Sequence, residues 1–172
     1  MQERAGAVTL RNNPFTVVGP VLNVGDKAPD FALLDNDLKP FSLKDTADKV
    51  RILSVVPSLD TPVCDQQTRR FNEEAGKLPN VQVLTISMDL PFAQKRWCGA
   101  AGVSNLRTLS DHREGSFGQA YGTLIKELRL NARAVFVLDT DGTVRHAEYV
   151  KEISEHPNYD AALNAARGLA GA

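Results

Sequence analysis

The chain has few cysteines, no long apolar run and no excess of charge of either sign. Its 172 residues include two cysteines, Cys64 and Cys98, which is too few for the disulfide framework of a small secreted domain. No apolar run approaches the length of about 18 residues that a membrane-spanning helix needs. The net charge is −1, whereas domains that bind nucleic acids are typically basic. We therefore expect neither a membrane nor a nucleic acid as a partner.

The first ten residues also lack the apolar stretch and cleavage signal of a secreted protein, so we expect a cytoplasmic location. No repeat, low-complexity tract or Pro/Gly/Ser-rich linker divides the chain, and its length is ordinary for one domain. We expect a single domain over residues 1–172, with residues 1–14 either mobile or bound along a sheet edge. In a reducing compartment, its two cysteines are either inert core residues or reactive thiols.

Three apolar runs rich in β-branched residues predict buried central strands, at Val50–Val56, Val81–Ser87 and Ala134–Leu138. Shorter strands are predicted at residues 15–18, 21–24, 30–34, 41–43 and 143–149. The first two of these short strands form a hairpin across Gly19-Pro20, and the last one follows the turn Asp139–Gly142.

Helical patterns alternate with the strands, at residues 62–77, 91–101, 114–121 and 158–169. Pro62 and Pro91 each suit the first position of a helix, where the missing N–H is not needed. Strands alternating with helices are typical of an α/β fold. We predict a mixed central sheet flanked by helices, with an N-terminal β-hairpin.

The segment Pro57–Thr68 (PSLDTPVCDQQT) links the first predicted central strand to the first predicted helix. The carboxyl ends of strands are where α/β sheets bind ligands. Thr61 suits the N-cap position, which places Cys64 in the first helical turn. Free backbone N–H groups, the positive end of the helix dipole and the Thr61 hydroxyl would each stabilise an anionic sulfur there. We predict that Cys64 is a thiolate at the mouth of a cleft.

The residues alone leave a second interpretation open for each cysteine. Burial as a small hydrophobic residue is the commonest fate of free cysteine, and it would make Cys64 inert. Cys98 would be either a resolving thiol that captures oxidised Cys64 or a packing residue beside Trp97. The two do not form a C-x-x-C pair and match no zinc motif with the histidines, so we expect neither a thioredoxin-type dithiol nor a metal site.

Several of these residues match a known family. Pro57, Thr61 and Cys64 form the motif P-x-x-x-T-x-x-C, and the longer string PSLDTPVCDQQTRRFNEEA resembles the bacterial thiol peroxidase subfamily of peroxiredoxins. Cys98, followed by glycine, occupies the place of the resolving cysteine in this atypical two-cysteine subfamily. Arg133, in the string NARAVFVLD, matches the active-site arginine of the family.

The resemblance covers residues 15–170 and implies a thioredoxin-like fold with an N-terminal β-hairpin. It also implies that the thiolate of Cys64 reduces hydrogen peroxide and organic hydroperoxides and becomes a sulfenic acid. Cys98 would then resolve the sulfenic acid as an intrachain disulfide, which thioredoxin would reduce. A homodimer is the assembly that the resemblance implies, and no cofactor is implied.

The resemblance assigns supporting roles to three further residues. Arg133 would stabilise the thiolate and hold a peroxide oxygen. Thr61 would complete the peroxide site, and Pro57 would shape the loop and shield the thiolate from water. Without the resemblance, Arg133 would be interpreted as part of a surface ion pair. Two alternative functions stay open, a thiol–disulfide oxidoreductase and a non-catalytic α/β binding domain with inert cysteines.

At three positions the chain departs from the family pattern. Trp97 stands where phenylalanine is usual, Ala101 where an acidic residue is common, and Asn131 replaces an apolar residue before the arginine. We expect these departures to affect substrate preference and the surroundings of the resolving cysteine rather than the chemistry.

Overall fold

The computed structural model describes residues 1–46 and 48–171. The strands in chain order are β1 (Glu3–Leu10), β2 (Asn13–Val18), β3 (Leu33–Leu34), β4 (Pro40–Phe41), β5 (Val50–Val55), β6 (Val81–Ser87), β7 (Arg107–Ser110), β8 (Leu124–Ile125), β9 (Leu130–Asn131), β10 (Ala134–Leu138) and β11 (Val144–Tyr149). The helices are α1 (Pro62–Ala75), α2 (Pro91–Ala101), α3 (Ser116–Tyr121) and α4 (Tyr159–Ala170), and a short 3₁₀ helix comprises Leu43–Thr46.

The central sheet is mixed, as the sequence predicts. Within the described residues, seven strands follow the order β11-β10-β5-β6-β7-β3-β4. Strands β5, β6 and β7 run parallel, whereas β10 is antiparallel to β5. Every residue of β5 and β10 is buried, which explains why both read as unbroken apolar runs. The carboxyl end of β5 leads directly into the loop before α1.

Alternate residues of the central strands enter two separate cores, because side chains of a strand alternate between faces. On one face, Ile52 and Val135 pack with Phe71 of α1 and Leu163 of α4. On the other face, the core contains a cluster of aromatic rings among aliphatic side chains. Its rings belong to Phe31, Phe117, Tyr121, Phe136 and Tyr149, with neighbouring centroids 4.2 to 6.2 Å apart. The sheet is therefore covered on both sides, and α1 is held against one face through the buried side chain of Phe71.

The N-terminal hairpin exists, but it does not lie at the predicted position. It joins β1 and β2 through Arg11 and Asn12, whose φ angles of 51° and 67° lie in the left-handed region. Asparagine tolerates that region well, and such turns match the twist of a hairpin. The predicted strand at 21–24 is not formed. Residues 3–10 form an edge strand of a second sheet, ordered β1-β2-β8-β9.

The remaining differences concern short or polar elements. Strand β7 was missed because Arg107–Ser110 carries little apolar signal; its pairing with β6 makes it a strand. The paired strands β8 and β9 were missed because each has two residues. The predicted helices at 91–101 and 158–169 are confirmed to within one residue at each end. No helix among the described residues combines the length and hydrophobicity needed to cross a membrane.

Candidate active site

Cys64 lies in the first turn of α1, which follows the loop at the carboxyl end of the central strand β5. Pro62 is at the start of the helix, and Thr61 before it has an extended backbone, with φ −109° and ψ 149°. The Thr61 carbonyl accepts the N–H of Asp65, which begins the helical hydrogen-bond ladder. Cys64 is 0% exposed. Burial alone would fit an inert residue, whereas a polar contact of the sulfur would favour a reactive thiol.

The sulfur of Cys64 contacts Arg133, which lies 69 residues further along the chain. Arg133 Nη2 donates a hydrogen bond to Cys64 Sγ over 3.3 Å. The arginine is itself 2% exposed and lies between β9 and β10. A hydrogen bond from a permanent cation stabilises a sulfur anion, and in a buried place that interaction is weakly screened. Arg133 is therefore not in a surface ion pair, and the pair of side chains can hold a thiolate.

Arg133 is held in place by three further hydrogen bonds. Its Nε and Nη2 donate to the Ile153 carbonyl at 3.0 and 2.8 Å. Its Nη1 donates to Gln67 Oε1 at 2.8 Å, and Gln67 Nε2 donates in turn to Ser54 Oγ at 2.8 Å. Sequence reasoning missed Gln67, although its spacing of three from Cys64 puts both on one helix face. The guanidinium is fixed on two sides and has little freedom to turn from the sulfur.

Thr61 and Pro57 line a pocket beside this pair, together with Arg133. The pocket measures about 240 Å³. Its other walls are mostly apolar and come from Leu10, Arg11, Pro62, Val63, Leu130, Ile153 and Ser154. The residues flanking Cys64 on its N-terminal side thus form the pocket wall. A small molecule in it would meet the polar side chains of Arg133, Thr61, Arg11 and Ser154 in mostly apolar surroundings.

The Thr61 hydroxyl does not bond to Cys64, contrary to expectation. It donates to the Ser58 carbonyl at 2.9 Å and makes no side-chain cap to α1. The hydroxyl proton is therefore used within the loop. The oxygen lone pairs stay available to accept a hydrogen bond from an O–H group.

The loop that carries Pro57 and Thr61 is anchored by Asp89, another residue that sequence reasoning missed. The Asp89 carboxylate accepts hydrogen bonds from Ser58 Oγ at 2.7 Å, the Leu59 N–H at 2.8 Å and Ser87 Oγ at 2.7 Å. These partners belong to the loop and to the end of β6, so no local sequence pattern connects them. The anchor fixes the loop relative to the sheet.

Cys98 lies apart from this site, in the second half of α2. Its sulfur contacts Thr108 Oγ1 of β7 at 3.5 Å, and it lines a different cavity, of about 280 Å³, with Asn36 and Arg107. Burial raises the pKa of the Cys98 thiol, and the hydrogen bond with Thr108 offsets this only in part. Both cysteines are free. The structure thus describes the reduced protein, in which a Cys64–Cys98 bond requires movement.

Asn131, one of the departures, has a structural explanation. It is fully buried, its Nδ2 donates to Asp111 Oδ2 at 3.1 Å, and its Oδ1 accepts from Thr123 Oγ1 at 3.0 Å. Asp111 also accepts the N–H groups of Phe117 and Gly118. A buried carboxyl needs such donors, and Asn131 supplies one of them.

Comparison with known proteins agrees with this geometry. The redoxin family matches residues 23–163 of the chain. The thiol peroxidase of Bacillus subtilis is 59% identical over 162 residues, covering 94% of this chain and 97% of its own length. The thiol peroxidase of Halalkalibacterium halodurans is 57% identical over 161 residues, with 94% and 97% coverage. The chain belongs to the thiol peroxidase family of peroxiredoxins. Its activity is that of a thiol-dependent peroxidase.

Solved structures support the same assignment for this peroxiredoxin. A peroxiredoxin-like protein from Aquifex aeolicus superimposes with a TM-score of 0.89 and 43% sequence identity, covering 96% of this chain and 98% of its own. The thiol peroxidase from Chromobacterium violaceum has a TM-score of 0.81 at 22% identity, covering 90% and 91%, and shows likeness of fold. The thioredoxin-like fold implied by the sequence motifs is confirmed.

In this peroxiredoxin, the loop that holds Arg133 is tied to the N-terminal hairpin through Glu152. The Glu152 carboxylate accepts from the Asn12 N–H at 2.9 Å and Thr9 Oγ1 at 3.1 Å on the hairpin side. It also accepts from the N–H and hydroxyl of Ser154 at 3.0 and 2.6 Å. These donors lower the pKa of Glu152 from 4.5 to about 2. The carboxylate stabilises the join between the hairpin and the Ile153 carbonyl that receives Arg133.

Replacing Glu152 by glutamine is expected to lower stability at neutral pH, because an amide accepts through one oxygen only. The carboxylate's contribution is fully present above its unfolded pKa of 4.5 and is lost as pH falls towards about 2. Urea unfolding of parent and Glu152→Gln protein should therefore give a stability gap at pH 7 that closes below pH 4.5. Glu155→Gln is the matched control, and a gap that does not change with pH would contradict this role.

Proposed function

We propose that Cys64 is the peroxidatic cysteine of this thiol peroxidase and that Arg133 is its electrostatic partner. The observation that carries the proposal is the hydrogen bond of 3.3 Å from a buried guanidinium to the Cys64 sulfur, beside a pocket lined by Pro57 and Thr61. Burying a cation costs free energy unless the cation is paired with an anion. An inert core thiol would give Arg133 no such partner.

In the first step, the thiolate of Cys64 attacks the terminal oxygen of a hydroperoxide. The S–O bond forms as the O–O bond breaks, so that sulfur is oxidised to sulfenic acid and the peroxide is reduced by two electrons. The leaving alkoxide or hydroxide takes up a proton and departs as alcohol or water. Arg133 stabilises the negative charge on the displaced oxygen, and Thr61 Oγ1 accepts the hydrogen bond that orients the peroxide O–H.

Hydrogen peroxide and small organic hydroperoxides are the proposed substrates. A volume of about 240 Å³ admits a short alkyl group next to the reacting oxygens. The apolar side chains of Leu10, Val63 and Leu130 offer that group a surface from which water is displaced. Pro57 limits access of water to the thiolate.

Cys98 is the proposed resolving cysteine. As a thiolate it attacks the sulfenic sulfur of Cys64, the S–S bond forms, the S–O bond breaks, and water leaves with the proton that Cys98 has lost. In the reduced structure Cys98 contacts Thr108 rather than the Cys64 site, so this step needs local unwinding of α2. Its half-buried position keeps it protonated until that movement occurs.

An external dithiol must reduce the disulfide, and thioredoxin is the proposed reductant. We also propose a cytoplasmic location, a homodimeric assembly and one domain over the whole chain. The alternative of a thiol–disulfide oxidoreductase is not favoured by any observation. Its two working sulfurs would have to be neighbours in one loop, whereas Cys64 and Cys98 lie on separate helices.

The test is turnover of the Cys98→Ser variant with thioredoxin as the electron donor. We expect this variant to consume one equivalent of peroxide and then stop, because the sulfenic acid has no intrachain partner. The parent should turn over many times and show a Cys64–Cys98 disulfide by peptide mass mapping after one equivalent of peroxide. Normal multiple turnover by Cys98→Ser would remove the resolving role from Cys98.

A further inference from the structure

Three side chains connect α1 to α2 right beside the two cysteines. Trp97 Nε1 donates to Asp65 Oδ2 at 3.0 Å, and Asp65 Oδ1 accepts from Arg69 Nε at 2.5 Å. The Arg69 guanidinium lies over the Trp97 ring, 5.5 Å from its centroid. We call these three residues the interhelix clamp. Asp65 follows Cys64 in the chain and Trp97 precedes Cys98.

The clamp also touches the reactive site and the end of α2. The Trp97 ring packs against the buried cluster of Val56, Leu59 and Cys64. Arg69 Nη1 donates to the Ala101 carbonyl at 3.4 Å, which is the last residue of α2. The clamp therefore spans the part of α2 that must unwind to bring Cys98 to Cys64.

Apart from the clamp, the second half of α2 is held by the contact of Cys98 Sγ with Thr108 Oγ1 at 3.5 Å. Within this helix the buried residues are Pro91 and Gln94, both in the first half. Gln94 anchors that half through hydrogen bonds to Ser87 Oγ at 3.0 Å and the Leu109 carbonyl at 2.9 Å. The second half contains Gly99, and glycine inside a helix is destabilising relative to alanine.

We propose that the interhelix clamp sets the rate of the resolving step, with Trp97 as its central positioning residue. This inference rests on the proposed roles of Cys64 and Cys98. The clamp holds α2 folded while the peroxide reacts, and its contacts must break before Cys98 reaches the sulfenic acid. A weaker clamp makes the disulfide form faster. It also shortens the life of the sulfenic acid, so that less of it is oxidised further to sulfinic acid by a second peroxide.

The experiment compares three variants with the parent in a single turnover with one equivalent of hydrogen peroxide. Trp97→Phe removes the indole N–H donor and keeps an aromatic ring. Arg69→Gln removes the cation that lies over the ring. Arg70→Gln is the matched control, because Arg70 is on the same helix but lies over the Tyr159 ring of α4 instead. Acid quenching and intact mass give the thiol, sulfenic and disulfide forms with time.

We expect disulfide formation to speed up by about 3- to 10-fold in Trp97→Phe and in Arg69→Gln, as for loss of one side-chain hydrogen bond. Arg70→Gln should form the disulfide at the parental rate. In excess peroxide, the two clamp variants should accumulate less Cys64 sulfinic acid than the parent. If Trp97 served only to pack α2 in place, its substitution would leave Cys98 less well placed to react. Cys64 sulfinic acid would then increase rather than decrease.

Unchanged or slower disulfide formation in both clamp variants would overturn the inference. Hydrogen exchange of α2 amides in the reduced proteins separates this from failure of the proposed function, because it involves no thiol chemistry. Faster exchange at residues 97–101 in the clamp variants is expected, and parental exchange there would also overturn the inference. A parent that forms no Cys64–Cys98 disulfide would instead contradict the proposed function on which the inference rests.

Discussion

Serine in place of Cys64 is expected to lower peroxidase turnover by at least about a thousandfold, since removing a catalytic nucleophile costs this much or more. A serine hydroxyl has nearly the same size, but it stays protonated at neutral pH and is a poor nucleophile without a base. The group that contacts Cys64 Sγ at 3.3 Å is the guanidinium of Arg133. A guanidinium cannot accept a proton, so it could not act as the base for a serine hydroxyl. The expected loss would be measured as peroxide consumed in the presence of thioredoxin.

The control for this variant is a test that the Cys64→Ser protein still folds. Because Cys64 is buried next to Val56 and Leu59, the Cys64→Ser protein should keep the parental far-ultraviolet circular dichroism and a cooperative unfolding transition. Retained turnover in a folded Cys64→Ser protein would be incompatible with Cys64 as the nucleophile.

Loss of the Arg133 guanidinium has the second largest expected effect. Arg133→Gln should slow the peroxide step by about 100- to 1000-fold, which is the usual cost of removing a donor that stabilises developing negative charge. The resolving step should be affected far less, because Cys98 lies in a separate cavity. Stopped-flow single turnover resolves the two steps.

Two further variants separate catalysis from structure at Arg133. Gln67→Ala keeps the guanidinium and its bonds to the Ile153 carbonyl but removes one anchor, so an intermediate loss of about 10-fold in the peroxide step is expected. Arg145→Gln, at an exposed arginine paired with Asp139, should keep the parental rate. Equal rates of the peroxide step in Arg133→Gln and in the parent would mean that Arg133 has a structural role only.

The fold was predictable where the local signal was strong. The all-buried strands β5 and β10 read as apolar runs, and α2 starts at a proline and ends beside Gly102, whose φ of 68° is left-handed. The hairpin was misplaced because Gly19-Pro20 is a stronger turn signal than Arg11-Asn12, although the latter forms the turn. β7 is a strand because β6 pairs with it, which is information that its own four residues do not contain.

The residues of the candidate site likewise differ in how far the sequence predicts them. The P-x-x-x-T-x-x-C motif indicated Pro57, Thr61 and Cys64, since all three fall within one loop and the first helical turn. The family resemblance was needed for Arg133. Asp89 and the Ile153 carbonyl, which support the site, could not be predicted from the sequence because they act through contacts between distant segments.

Two departures from the family pattern acquire a physical meaning only in the structure. Asn131 satisfies the buried Asp111 carboxyl, which no apolar residue could do. Trp97 supplies an N–H donor to Asp65, which the usual phenylalanine lacks. If the interhelix clamp sets the rate of resolution as proposed, this difference of one donor alters the balance between resolution and overoxidation.

The most direct test of the account is the site of oxidation after one equivalent of hydrogen peroxide in the Cys98→Ser protein. The sulfenic acid would be trapped with a dimedone-type reagent and located by peptide mass. We predict one adduct per chain, on Cys64, formed far more slowly when Arg133→Gln is added. An adduct elsewhere, or an adduct on Cys64 that forms equally fast without the guanidinium, would contradict the central claim that Arg133 prepares the Cys64 sulfur for peroxide.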